Sequence, residues 1–471
     1  MTQSVWTRRV ALAVVVAGVA VGAFLLWRRY RIDPSIYVRG DEFVIYLLGG
    51  STAAGEPYSE YTDLGQMVRW MFGGFIGDRP IRVKNLGRSG QAAAAVVDDA
   101  KTIARALTKR PPPPGSAVAF LYPGNNEFLR FDHEHDLSKG PRPLFDEATT
   151  TPAEKAQTLR EYSESLTSII RTLQQANVPV LVSTAAVNLR WDPNRSVLAD
   201  PHDAEGVRAR LERGDALRAS GDEAGACTEY LQALELEPRF ALASFRAAEG
   251  LERLGRFEEA RRYYRNAIEF DGNPYRETPT QRELLLAVAQ QTGATVIDAE
   301  EEVAAASPGR IAGFNLFWDN CHPTLDGYLR IAAAFAEAME TLYGVHRTQP
   351  TADVAAYEQA LRWGPDQQAQ VLASRGAYCY RAATLSPDPA VRLRRAETWL
   401  TQAVELQPQN ADILASRAVL AALQGDPKAS TAYWKQAWLI DATRTAQRKS
   451  DPRVKEILNR VHLPDTPPDT W

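Results

Sequence analysis

The chain is 471 residues long, 45% hydrophobic and 24% charged, with a formal net charge of -4 at pH 7. That length accommodates two or three globular domains, and its basic residues are interspersed with acidic ones, so no basic stripe is offered to nucleic acid. The cysteines Cys227, Cys321 and Cys379 show no Cys-x-x-Cys spacing, which argues against a disulfide framework and a zinc site and leaves the redox compartment open.

Residues 10–27 carry no charge and are almost wholly apolar; Arg8 and Arg9 precede them, and Arg28, Arg29 and Arg31 follow. The stretch is about the length a helix needs to cross a bilayer core. A single-pass anchor is expected. A cleaved signal peptide is the alternative, although Trp-Arg-Arg-Tyr is not a small-residue cleavage site. Arginines on both sides give almost no orientation signal. The soluble part is expected to be extracytoplasmic.

Residues 41–48 read as a buried strand that ends at Gly49-Gly50-Ser51. Helical spacing over 62–72 follows, then a strand at 81–85 that runs into Leu86-Gly87-Arg88-Ser89-Gly90. A helix over 92–109 stops at the breaker Pro111-Pro112-Pro113-Pro114-Gly115. A strand at 117–122 ends at Pro123-Gly124-Asn125-Asn126-Glu127. Thr151-Pro152-Ala153-Glu154 opens a helix over 151–176, and a fourth strand lies at 178–183. This alternation predicts a parallel sheet covered on both faces, with ligands at the strand C-termini.

The rhythm breaks at 207–274, which is nearly all helical. At a spacing of 34 residues Gly221 matches Gly255, Ala226 matches Ala260, Tyr230 matches Tyr264 and Ala233 matches Ala267. Small residues let facing helices pack closely, and the period resembles tetratricopeptide repeats. A helix at 277–292, a strand at 294–298 and a helix at 325–343 then resume the α/β pattern. The repeats therefore read as an insertion. Helical repeats return after Thr351, where Ala396, Leu400 and Ala403 match Ser430, Trp434 and Ala437 at the same spacing. Residues 463–471 are proline-rich and read as a disordered tail.

Ser51 on a glycine-rich turn and the late Asp319-Asn320-Cys321-His322 supply a nucleophile, a base-orienting carboxylate and a base, which is what acyl transfer to water requires. Four blocks occur in order: Gly49-Gly50-Ser51-Thr52, Asn85-Leu86-Gly87-Arg88-Ser89-Gly90, Gly124-Asn125-Asn126-Glu127 and Asp319-Asn320-Cys321-His322. Together they resemble the SGNH (GDSL-type) hydrolase superfamily over 41–197 and 277–344. The resemblance implies a three-layer, flavodoxin-like parallel sheet. It implies Ser51 as nucleophile, His322 as general base and Asp319 as its orienting partner. The oxyanion hole would be the Ser51 and Gly87 N–H groups and the Asn126 amide, with Asn125 as the competitor for that slot. The first block often reads Gly-Asp-Ser in the family and here reads Gly-Gly-Ser; the third usually ends Asn-Asp and here ends Asn126-Glu127.

The expected organisation is an anchor at 1–34, a hydrolase domain at 35–202 and 277–346, inserted repeats at 203–276, C-terminal repeats at 347–447 and a tail at 448–471. Cys321 reads as structural. His133 and His135 flank Glu134, with Asp132 and Asp136 alongside, as a conceivable metal cluster or a solvated charged loop. Trp191, Phe317 and Trp318 read as core or as cleft lining. The expected activity is ester hydrolysis through an acyl-serine with no metal or cofactor, on an ester-bearing small molecule, glycan or lipid. Acyl transfer to an envelope glycan or lipid shares the same triad. The other class of function is a scaffold whose repeats bind a protein partner beside a weak or inactive hydrolase domain.

Overall fold

The computed structural model describes residues 32–129, 143–146, 150–349, 353–459 and 461. The expected anchor at 10–27, the charged loop around His133 and His135 and the tail at 463–471 lie outside the described residues. Among the described residues no helix is long and apolar enough to cross a membrane.

Among the described residues six strands form one sheet: β1 (Phe43–Gly49), β2 (Phe75–Ile76), β3 (Arg79–Asn85), β4 (Ala117–Tyr122), β5 (Val180–Ser183) and β6 (Thr295–Ile297). Their spatial order is β2-β3-β1-β4-β5-β6. All neighbouring pairs are parallel except β2 with β3. The five parallel strands thus follow the doubly wound flavodoxin-type order, with its switch point beside β1. The two-residue β2, which the apolar periodicity does not announce, caps the β3 edge antiparallel and pairs Phe75 with Pro80.

Burial explains the strand sequences. Every residue of β1 and β4 is buried, because helices cover both faces at the sheet centre. Alternate side chains go to opposite cores. Phe43, Ile45 and Leu47 join Val118 and Phe120 against the helices Leu64–Met71 and Leu325–Tyr343. Val44, Tyr46 and Leu48 join Ala119 and Leu121 against the helices Ala93–Lys109, Pro152–Gln175 and Pro279–Thr292. Capping boxes at Thr151 with Glu154 and at Thr278 with Gln281 set the starts of two of these helices.

Between β5 and β6 the chain runs through four further helices, Ala204–Ala219, Glu223–Leu236, Ala241–Arg253 and Phe257–Glu269. Gly221 and Gly255 take the same place after a helix, with φ of +89° and +74°. Ala226, Tyr230, Ala233 and their counterparts Ala260, Tyr264 and Ala267 are all buried. C-terminal to the sheet, the helices Pro365–Ala383, Ala390–Leu406, Ala411–Leu423 and Pro427–Ile440 share one core, in which Ala396, Leu400, Ala403, Trp434 and Ala437 are buried. That core also takes in Trp191 from the segment after β5. Arg392 fixes the contact: its guanidinium bonds Asp192 Oδ1 at 2.9 Å and Asn194 Oδ1 at 2.9 Å. The C-terminal helices therefore pack onto the strand-end side of the sheet.

Candidate active site

Ser51 is the first residue of a four-residue helix, Ser51–Ala54, that starts directly after β1. The two glycines before it have steric reasons. Gly49 has φ of +145°, and a Cβ there would lie 2.1 Å from the Tyr122 carbonyl oxygen of β4. A Cβ on Gly50 would lie 2.2 Å from Asn126 Nδ2. Together they let the chain turn sharply at the sheet edge and bring the Asn126 amide close over the turn.

Asp319 and His322 come from a loop closed by the Phe317–Pro323 bridge, just before the helix Leu325–Tyr343, whose N-cap is Thr324. The loop is tied to the serine turn. The Tyr328 hydroxyl donates to the carbonyls of Thr52 (3.0 Å) and Glu56 (2.8 Å), and Thr52 Oγ1 donates to the Cys321 carbonyl. On the other side, Asn188 Nδ2 donates to the Asp319 carbonyl at 2.8 Å.

The result is a continuous chain of polar contacts. His322 Nε2 lies 2.8 Å from Ser51 Oγ. His322 Nδ1 lies 2.9 Å from both carboxylate oxygens of Asp319. A carboxylate accepts only, so Nδ1 carries a proton, and in the neutral imidazole Nε2 is the acceptor for the serine hydroxyl. Asp319 Oδ1 also accepts the backbone N–H groups of Cys321 (3.1 Å) and His322 (2.9 Å). Ser51 and His322 are each 7% exposed, and Asp319 is fully buried.

Electrostatics follow from this burial. Removal from water by itself raises the pKa of Asp319. The His322 imidazole and the Arg375 guanidinium outweigh that and hold it below the usual carboxylate range. Burial by itself lowers the pKa of His322. The Asp319 carboxylate, with Cys321 beside it, outweighs that and raises it above the ordinary value of 6.5.

The other sequence-derived residues divide. The Asn126 amide sits over Gly50 and donates to the Gln91 carbonyl at 3.0 Å, which leaves its second hydrogen for another acceptor. Asn125 is engaged at both ends: its amide donates to Thr52 Oγ1 at 3.3 Å and its carbonyl accepts the Glu277 N–H at 3.1 Å. Gly87 packs against the serine helix, with a Cβ position 2.5 Å from Ala54 N. Its N–H donates to Asn85 Oδ1 at 2.8 Å. Ser51 N–H, in the first turn, has no acceptor within its own helix. Cys321 Sγ lies 3.9 Å from His322 Nδ1, on the side of the ring away from Ser51. Donor atoms of Asp319, Cys321 and His322 lie within 4.8 Å of one another. A cation already faces that carboxylate, however, because Arg375 Nη1 is 2.8 Å from Asp319 Oδ2. Phe317 and Trp191 are core residues, whereas Trp318 is half-buried, donates from Nε1 to the Tyr58 hydroxyl at 2.9 Å and packs on Trp399.

Residues 243–274 match the tetratricopeptide repeat family. No curated protein matches the sequence. Among solved structures the chain is similar to an alpha/beta hydrolase from the metagenome of Lake Arreo, at 16% identity over 65% of this chain and 98% of that one, with a TM-score of 0.32. It is similar to a GDSL-like lipase from Bacteroides thetaiotaomicron, at 10% identity over 67% and 98%, with a TM-score of 0.31. An acetylxylan esterase from Geobacillus stearothermophilus aligns at 15% identity over 65% and 95%, with a TM-score of 0.30. What the site does chemically follows from its own geometry.

Arg375 is the site residue that motif reading missed. It lies in the helix Pro365–Ala383, more than fifty residues beyond the last family block, and no block pattern reaches it. A local signal exists nonetheless. Val371, Leu372, Cys379 and Ala382 make a buried helical stripe, and Arg375 stands in the middle of it, 6% exposed. A charged residue on an apolar face needs a buried counter-charge.

Proposed function

We propose that the chain is a serine esterase of SGNH type that cleaves an acyl ester through an acyl-serine. The observation that supports this reading most is the 2.8 Å contact of Ser51 Oγ with His322 Nε2, whose opposite nitrogen is held by Asp319. As Ser51 Oγ bonds to the acyl carbon, its proton passes to His322 Nε2, and the carboxylate stabilises the imidazolium. The tetrahedral oxyanion is met by the Ser51 N–H and the free hydrogen of the Asn126 amide. The Gly87 N–H joins them by sharing or releasing Asn85 Oδ1. The imidazolium then returns the proton to the leaving alkoxide, and water repeats the sequence to free the acid.

Labelling with a fluorophosphonate followed by peptide mapping tests the reading: the adduct is expected on Ser51, together with turnover of p-nitrophenyl acetate. A protein that neither labels there nor hydrolyses short-chain esters contradicts it. Within this reading Asn126→Ala is expected to lower kcat about a hundredfold or more with little change in KM, since the amide meets charge that develops only in the transition state. An unchanged kcat removes Asn126 from the oxyanion site.

We further propose that residues 10–27 anchor the protein in a membrane as a single span, with the catalytic part extracytoplasmic. The uncharged apolar run supports it. A C-terminal reporter fusion reads the side directly, and activity of a reporter that works only in the cytoplasm contradicts it.

A further inference from the structure

The Asp319 carboxylate is held from two sides. On one side is His322 of its own loop; on the other is Arg375 of the C-terminal helix Pro365–Ala383, whose Nη1 donates to Oδ2 at 2.8 Å. Arg375 is held in turn. Its guanidinium lies 5.4 Å from the centre of the Tyr378 ring, one helical turn on. The Tyr378 hydroxyl donates to Asn320 Oδ1 at 2.6 Å, inside the same loop, and the ring stands edge-on to His322 at 5.9 Å. Gly376 lets this helix sit closely on the next, since a Cβ there would lie 2.6 Å from Leu400 Cγ. The guanidinium is thus placed by a helix that packs on the C-terminal core through Leu372 and Cys379 and on the core beneath the sheet through Val371.

Building on the esterase reading, we infer that Arg375 is a positioning residue that orients Asp319 and sets the protonation of His322, which makes the C-terminal helices an integral part of the catalytic site. A histidine whose orienting carboxylate is shared with a fixed arginine feels a weaker negative field than one facing that carboxylate alone. Cys321 lies beside the imidazole, and Tyr378 stands across from it. Cys379 is buried and feels the Asp319 charge together with those of Arg395, Arg375 and Arg392, and Tyr58 feels that of Arg375. None of these comes between Arg375 and the carboxylate, which are in direct contact.

The sign follows. His322 must be neutral to accept the serine proton, so kcat/KM rises with pH through the pKa of the free enzyme's imidazole. In wild type this limb is expected above the ordinary imidazole range. Removing the arginine charge favours the imidazolium further, so Arg375→Gln is expected to move the limb to higher pH by about one unit. At pH 7 kcat/KM then falls about tenfold, whereas the alkaline plateau stays within a few-fold of wild type. Arg375→Lys, which keeps the charge, is expected to return the limb toward its wild-type position. The same shift is read without turnover by NMR titration of the His322 imidazole in wild type, Arg375→Gln and Arg375→Lys. A limb and an imidazole titration that stay in place in a folded Arg375→Gln protein overturn the inference while leaving the esterase reading intact. If no variant hydrolyses esters, the esterase reading fails on its own terms, and the NMR shift still decides whether Arg375 governs the histidine.

Discussion

Ser51→Ala is expected to lose about four to six orders of magnitude in kcat on an activated ester and all fluorophosphonate labelling, while remaining folded. The hydroxyl contributes one atom to the reaction and one contact to the structure, the 2.8 Å bond to His322. Losing that contact costs stability on the order of 1 kcal/mol or less, because a single hydrogen bond contributes little net. Alanine also suits the first turn of the short helix. Activity and stability should therefore separate in this variant. The informative comparison is Cys321→Ser, since Cys321 is the other nucleophilic side chain beside the histidine. Its thiol lies near Nδ1, the nitrogen already committed to Asp319, and so has no base to take its proton. Cys321→Ser is expected to retain activity within a few-fold. A Ser51→Ala enzyme that turns over within threefold of wild type would sink the serine mechanism, and a dead Cys321→Ser beside it would name the thiol instead.

The parts of this architecture legible in the sequence are those that local physics determines. β1 and β4 stand out as continuous apolar runs, because strands covered on both faces leave no room for polar residues. The proline run at 111–114 ended its helix where the structure ends it, at Lys109. The 34-residue self-match placed small residues where helices touch. Ser51 and His322 were legible because a strained glycine turn and an Asp-x-x-His loop leave marks within a few residues. Other features required partners that a linear pattern does not supply. The Gly87 N–H was expected to be free for an oxyanion, but Asn85, two residues earlier, already accepts from it. The bonds that hold Asn125 come from Glu277 and Thr52, which lie far from it in sequence. Arg375 depended on how a repeat core packs against a loop more than fifty residues away. The short antiparallel β2 rests on the turn Gly77-Asp78 that joins it to β3, with Gly77 at φ of +56°, and not on any apolar period.

Asp319 is where catalysis and folding are expected to be inseparable. Replacing it with asparagine preserves shape but offers His322 a neutral amide, which neither fixes the Nδ1–H tautomer nor stabilises the imidazolium; kcat should fall by about three to four orders of magnitude. The same change strands a guanidinium that is 6% exposed and whose carboxylate partner is gone. Breaking a buried pair from one side costs about 3–5 kcal/mol, so Asp319→Asn should unfold at clearly lower urea than wild type, in contrast to Ser51→Ala. The carboxylate also predicts the acid behaviour. Its folded pKa lies below its unfolded one, so its contribution to stability is complete above about pH 4 and is lost as the pH falls below that. Adding Arg375→Met to Asp319→Asn removes the stranded charge. The double variant should recover much of the stability and none of the activity, because what it restores is solvation balance and what it lacks is the carboxylate on Nδ1. A double-mutant cycle in urea measures the coupling. If the Asp319→Asn protein unfolds with the wild type, the Arg375 contact carries no weight in the fold. If the double variant regains turnover, Asp319 is not the group that orients His322.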